Sequence, residues 1–274
     1  MEHYNDKFYE IHEKGSLKSS KEILPLIMNL IEPNSVIDVG CGVGTWLSTF
    51  ESLGVKKILG IDGDHVNKEK LYINKDNFIV ANLENIDEIR EKEKNNQINK
   101  FDLAMSLEVA EHLSENVAHD FIEYLTSKSD VVLFSAAVPG QGGTNHINEQ
   151  WPEYWIKIFK ENDFEVVDYI RWEIWNNSNI ESWYKQNIFL FVKKENLKEI
   201  VKKLPEKRNQ YSIIHPDLYD WLNKVNKMFE KNSINLIIEN NDLMNKVKKL
   251  EDIESINNTQ IDDEKRKSEK LKKK

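Results

Sequence analysis

The chain has 274 residues, with 47 acidic against 38 basic side chains and a net charge of -9. That balance argues against sequence-independent nucleic-acid binding by the whole molecule, which needs phosphate neutralisation by Lys and Arg. One cysteine excludes an internal disulfide framework, no metal cluster is visible in the spacing, and no apolar run approaches the length needed to span a membrane.

The start, Met1-Glu2-His3-Tyr4-Asn5-Asp6-Lys7, is polar, so no signal peptide and a cytoplasmic protein are expected, with one ample core and a modest appendage. Ser20 to Ile31 is apolar behind a Ser cap and predicts a helix, with Pro25 in its first turns. The next run, Val36-Ile37-Asp38-Val39, is a short buried strand, and Gly40-Cys41-Gly42-Val43-Gly44-Thr45 follows it. Glycines there let the backbone turn tightly and approach a ligand that any Cβ would obstruct. A dinucleotide loop would read G-x-G-x-x-G, whereas Gly44 comes one residue early. Asp38 would repel a pyrophosphate but suits the ammonium group of a methionine-type cofactor. Cys41, inside the loop, reads as a small packing residue.

Farther on, Lys57-Ile58-Leu59-Gly60-Ile61-Asp62 is a strand ending in an acid placed to accept ribose hydroxyls, with a plain turn at Gly63-Asp64 as the alternative. Phe78 to Glu84 and Phe101 to Leu113 repeat the pattern of strand then polar loop. Together these segments resemble the ordered motifs of the class I S-adenosylmethionine-dependent methyltransferases over about residues 20–193. The resemblance implies S-adenosylmethionine as cofactor, with Asp38, Gly40, Cys41, Gly42, Gly44 and Asp62 around it. It puts Asn82 and Leu83 beside the adenine, although Asn82 stands where relatives usually carry Asp. Ser106 and Leu107 would line the methionine side, and the Glu111-His112 pair would sit at the pocket mouth. Strands near 36, 57, 78, 101 and 131 alternate with helical stretches, and Phe164 to Ile170 and Asn187 to Lys193 form a closing pair. The expected fold is α/β, a doubly wound seven-stranded Rossmann-like sheet whose last strand is antiparallel, followed by a C-terminal helical extension.

The acceptor side falls on the loop from Pro139 to Trp155. His146 is the first choice of general base because imidazole changes charge near neutral pH. Glu149 would orient it or act instead, and His112 competes for the role; a helix cap is the plainer alternative for His146. Trp151 and Trp155 share a helix face in this reading, and Trp183 to Asn187 leads into the last strand. These features resemble methyltransferases of bacterial capsule and other surface-polysaccharide pathways. That likeness implies O-methylation of a small saccharide or a phosphoryl-modified saccharide such as a phosphoramidate.

Residues 1–194 are thus expected to form the methyltransferase domain, 195–256 a helical extension and 257–274 a charged, disordered tail. In the extension Phe229, Ser233, Leu236, Asn240, Leu243, Val247 and Leu250 follow steps of four and three, a heptad seam suited to a two-stranded coiled coil and a homodimer. The alternative is an amphipathic helix lying on its own domain. Two other functions fit the sequence less well. A non-catalytic scaffold acting through this helix is disfavoured by the intact acids and glycines, and a nicotinamide-dependent oxidoreductase by the glycine spacing.

Overall fold

A computed structural model describes the backbone of residues 6–95, 100–202, 204 and 210–272, with side chains for 14–94, 100–202, 204 and 210–251. Its strands are β1 Ser35–Val39, β2 Lys57–Asp62, β3 Phe78–Val80, β4 Leu103–Leu107, β5 Val131–Ser135, β6 Phe164–Val167 and β7 Phe189–Lys193. They form one seven-stranded sheet in the order β3-β2-β1-β4-β5-β7-β6. The first five are mutually parallel, and β7 enters antiparallel between β5 and β6.

Near-continuous Val, Ile and Leu in β1, β4 and β5 is what a sheet covered on both faces demands. Side chains divide between two cores with the strand period of two. Ile37 and Val39 join Leu59, Phe121, Phe134, Phe159 and Phe191 on one face, while Val36 joins Ile27, Trp46, Phe50, Leu133 and Leu190 on the other. The helices α1 Asp6–Ile31 and α2 Thr45–Ser52 contribute to the second core. The first face holds α3 Ile86–Asn95, α4 Ala118–Lys128 and α5 Pro152–Glu161. Reversal of strand order lies between β1 and β4, so the crevice of the switch point opens beyond their carboxyl ends.

Local expectations needed correction in places. Helix α1 begins at Asp6, well before Ser20, so Pro25 lies in its interior. Tertiary contacts extend it: Ser16 Oγ meets Tyr184 Oη at 3.1 Å, Glu181 N–H donates to Ser19 Oγ at 3.1 Å, and Gly15 packs on Glu181. The strand expected to reach Ile170 stops at Val167, and α6 spans Ile170–Ile174. The lead-in to the last strand is itself helical, α7 Ser182–Asn187, so β7 starts at Phe189.

After β7 come α8 Leu197–Val201 and then α9, Pro216–Lys272. The chain divides into two units, one through Tyr219 and one from Asp220. The stretch 211–219, beyond the boundary expected at 194, belongs with the sheet. Fully buried Arg171 binds Asp168 through both Nε (2.9 Å) and Nη2 (2.5 Å) and donates from Nη1 to the carbonyls of Gln186 and Tyr211, both at 3.1 Å. His215 N–H donates to Gln186 Oε1 at 2.5 Å, and Lys185 Nζ pairs with Asp217 at 2.6 Å. The second unit is the helix alone, and Phe229, Leu236, Leu243, Val247 and Leu250 are exposed on it. The helix backbone runs to Lys272, through the stretch expected as a disordered tail; 273–274 and side chains beyond Glu251 lie outside the described residues. Among the described residues no helix is long and apolar enough to cross a membrane.

Candidate functional site

The turn after β1 is built from left-handed glycines, with φ of 89° at Gly40, 54° at Gly42 and 81° at Gly44. Gly40 and Cys41 N–H both donate to the Ile61 carbonyl, at 2.7 and 3.3 Å, which ties the turn to the end of β2. A Cβ on Gly40 would fall 2.3 Å from Val109 Cγ2, and one on Gly44 would press on Ile73. By contrast, a Cβ on Gly42 would meet nothing within 4 Å. The backbone at Gly42 therefore faces open space that a side chain would fill, the property a ligand cradle requires. Cys41 packs over Gly60 with its thiol pushed upward in pKa by burial and by Asp38 and Asp62.

Asp62 is the clamp of this turn. One carboxylate oxygen accepts the Gly42 N–H and the other the Gly63 N–H, each at 2.6 Å, and His65 Nε2 stands 3.5 Å away. Asp38, also buried, has its carboxyl pushed well above the ordinary range by burial and then by the charge of Asp62. The folded state therefore holds a proton that the unfolded state has lost, so Asp38 opposes folding increasingly as pH rises through and above the ordinary carboxylate range. Asp38→Asn is expected to raise the melting temperature of the ligand-free protein at pH 7 and leave it little changed at pH 4. Thermal denaturation at the two pH values checks this, and a lower melting temperature at pH 7 would refute it.

The remaining expected cofactor residues are placed unequally. Asn82 is exposed, and its side-chain oxygen already accepts the Glu84 N–H at 3.0 Å in an Asx turn, with Leu83 half-buried beside it. Ser106 is fully buried and donates to the Val39 carbonyl at 2.8 Å, bracing the start of the glycine turn from β4. Leu107 is buried in the second core.

Beyond β4 the chain turns through Glu108, a non-glycine residue at φ 56°, a strained conformation of the kind concentrated at functional sites. Its carboxylate accepts from Asn187 Nδ2 at 3.0 and 3.2 Å and from Gln141 Nε2 at 3.0 Å. Burial raises the Glu108 carboxyl against the lowering effect of those bonds. Glu111 and His112 follow in a 3-10 turn, Ala110–His112. The Glu111 carbonyl accepts the N–H groups of Ile147 and Asn148, at 2.9 and 3.0 Å, which brings the loop expected on the acceptor side onto the pair. His112 and His146 meet edge to face with ring centroids 4.7 Å apart. Partial desolvation, and then His146, lower the pKa of His112 although the residue is exposed overall. His146 Nδ1 lies 2.9 Å from Glu149 Oε1, and Glu149 is itself fixed by Gly140 N–H at 2.7 Å and Gly142 N–H at 2.8 Å. His112, from the loop after β4, and His146 and Glu149, from the loop before α5, thus form one cluster.

The profile of a family described as "Methyltransferase domain" matches residues 11–138, the part that holds β1 to β5 and both acid-ended turns. A curated relative, the mitochondrial ubiquinone biosynthesis O-methyltransferase of Dictyostelium discoideum, is 35% identical over 110 residues, 35% of this chain and 32% of the relative. The chain thus spans about a third of that protein's length. Solved structures of low identity include an O-methyltransferase family protein from Burkholderia thailandensis, 10% identical with a TM-score of 0.49, covering 69% of this chain and 60% of that one. Another is the magnesium protoporphyrin IX methyltransferase of Synechocystis PCC 6803, 19% identical with a TM-score of 0.46 over 70% of this chain and 85% of that one.

Several polar residues beside this cluster are not singled out by the sequence: Glu108, Gln141 and Asn187. Asn187 alone gave a signal, as an amide directly ahead of the apolar run Ile188–Val192. Trp151 and Trp155 do not share a role. Trp155 is buried against Phe134 and Tyr154, whereas Trp151 precedes α5 as its N-cap and is exposed.

Proposed function

We propose that this chain is an S-adenosylmethionine-dependent methyltransferase acting on an oxygen of a small polar acceptor. The observation that carries the reading is the clamp at the switch point, where Asp62 holds the backbone of Gly42 against open space. Residues present there fit the cofactor: donors and acceptors for a ribose, a Cβ-free approach and, in Asp38, a carboxylate able to meet an ammonium group. When bound, the cofactor supplies a sulfonium methyl group. The acceptor oxygen would take that methyl group while sulfur keeps the carbon–sulfur electron pair, and the proton of an acceptor hydroxyl would leave to solvent.

The chain's own part is alignment and management of charge at the acceptor oxygen. His112 and His146 stand at that oxygen, and Glu149, bonded to Nδ1, leaves Nε2 of His146 as its free nitrogen. The acceptor class is a saccharide or a phosphoryl-modified saccharide, supported by the polar loop Asn145–Gln150 beside exposed Trp151. Calorimetric titration with S-adenosylmethionine, S-adenosylhomocysteine and NAD tests the core of the reading. Saturable binding of the first two without NAD is expected, and failure of both adenosyl ligands to bind would overturn it.

Two copies pair through α9, an assignment supported by the exposed Leu236, Leu243 and Leu250 and by Asn240 at a seam position, where a polar residue sets register. Leu236→Lys with Leu243→Lys is expected to convert a dimer into a monomer in light-scattering chromatography. An unchanged mass would remove the coil.

A further inference from the structure

Glu111 is fully buried, and neither carboxylate oxygen has a hydrogen-bond partner. An unpaired ionised carboxylate in a protein interior costs several kcal/mol in order of magnitude. The nearest relief comes from the dipoles of its own N–H and that of Ala137, and Glu108 and Glu149 add charge of the same sign. A cation would satisfy charge and lone pairs together.

The surroundings supply the rest of a coordination shell. One donor atom each from Glu111, His112 and His146 lie within 4.8 Å of one another. We propose that these three residues bind a divalent cation, which holds the acceptor oxygen during methyl transfer. One carboxylate and two imidazoles are a donor set for transition-metal ions such as Co2+, Mn2+, Fe2+ or Zn2+ rather than for Mg2+ or Ca2+, and three protein ligands leave positions open for substrate.

Two further features have the form of a metal site. His146 is bonded through Nδ1 to Glu149, and Glu149 is anchored by two backbone N–H groups, the carboxylate–histidine arrangement that orients a ligand imidazole and raises its basicity. The two imidazoles also meet edge to face, with ring centroids 4.7 Å apart, so that two ring-nitrogen donors stand side by side. Glu108, held by Asn187 and Gln141, adds negative charge close by. The spacing expectation of no metal fails to register this site because its ligands come from two loops, joined only where Ile147 and Asn148 dock on the Glu111 carbonyl.

The role of the ion deepens the function proposed above and rests on it. Bound to the cation, an acceptor hydroxyl is acidified and releases its proton to solvent. The oxygen then attacks the sulfonium methyl group, and the carbon–sulfur electron pair leaves with sulfur.

The test is a titration of the chelator-stripped, tag-free full chain with Co2+ alone, followed by visible absorption and by melting temperature, without any adenosyl ligand. Saturable uptake of one Co2+ per chain with a rise in melting temperature is expected. Glu111→Gln and His112→Ala should each weaken it at least 100-fold, and Glu149→Gln about 10-fold, the usual size of an outer-shell effect. His112 is exposed, so its variant folds on other contacts, and metal-free Glu111→Gln should be at least as stable as the parent because it removes an unpaired carboxylate. No saturable uptake, or uptake undiminished in both first variants, overturns the site. S-adenosylmethionine binding measured on the same preparations separates the claims. Cofactor binding without Co2+ uptake removes the cation alone, while Co2+ uptake without cofactor binding leaves the ion site and removes the methyltransferase reading.

Discussion

Asp62→Ala is expected to lower the affinity for S-adenosylmethionine about 100-fold or more while the sheet stays folded. The carboxylate spans two backbone donors, Gly42 N–H and Gly63 N–H, each at 2.6 Å. A hydrogen bond to a charged group contributes about 1.5–3 kcal/mol, and each 1.4 kcal/mol is roughly a factor of ten in binding. Removing the clamp frees the turn proposed to approach the ligand and deletes the proposed acceptor for the ribose. Asp102 gives a matched control. Its Oδ2 accepts the N–H groups of Asn34 and Ser35, both at 2.9 Å, at the opposite end of β1 from the glycine turn. Asp102→Ala should therefore lower the melting temperature and leave cofactor affinity within about twofold. Calorimetry on the pair decides the matter; equal loss of affinity in both would mean that Asp62 acts only through general stability.

The glycines of the same turn should separate stability from binding. At Gly40 an added methyl group meets a stiff β-branched neighbour, Val109, at 2.3 Å, on a backbone already at φ 89°. Left-handed strain of about 1–2 kcal/mol adds to about 1–3 kcal/mol for overpacking. Gly40→Ala is expected to destabilise the protein by about 2–5 kcal/mol in denaturant titration. Gly42→Ala carries only the strain, because its methyl group would project into open space, yet that space is where the ligand approaches. Its expected signature is a small stability loss, about 1–2 kcal/mol, with cofactor affinity reduced at least tenfold. Full affinity in Gly42→Ala would place the cofactor elsewhere.

The half of the site built on parallel strands was legible in the sequence, and the other half was not. Val36–Val39, Ile58–Ile61 and Leu103–Leu107 are short apolar runs, and each turn follows its strand directly, so chain order alone puts Asp38, Gly40 and Asp62 at one edge. Local signals failed where distant contacts decide. Helix α1 is longer than its apolar pattern because Ser16, Ser19 and Gly15 meet Tyr184 and Glu181. Helix α7 interrupts what reads as a strand because Lys185, Gln186 and Asn187 are buried on partners from 108 to 217. Glu108 could not be singled out either, since its partners Gln141 and Asn187 are remote in sequence. Spacing rules describe neighbours along a chain, and the proposed acceptor side is assembled from three separate segments, around residues 108–112, 140–151 and 187.

The insertion of β7 between β5 and β6 bears on how the protein is made. Strands β1 to β5 are complete once residue 135 has been synthesised, but the strand that pairs with β5 is Phe189–Lys193. Until then a nascent chain carries Val131-Val132-Leu133-Phe134 as an open, apolar sheet edge, the kind that templates aggregation. A fragment cut at residue 138 would retain every strand that carries the cofactor turns and still lack the piece that closes the edge. Such fragments should accumulate in inclusion bodies, whereas those ending beyond Tyr219 also keep the Arg171 and Gln186 contacts that fasten the closing strand's neighbourhood. Closure by a late, antiparallel strand thus makes the sheet a product of the whole domain's synthesis and gives the chain a defined window of vulnerability on the ribosome.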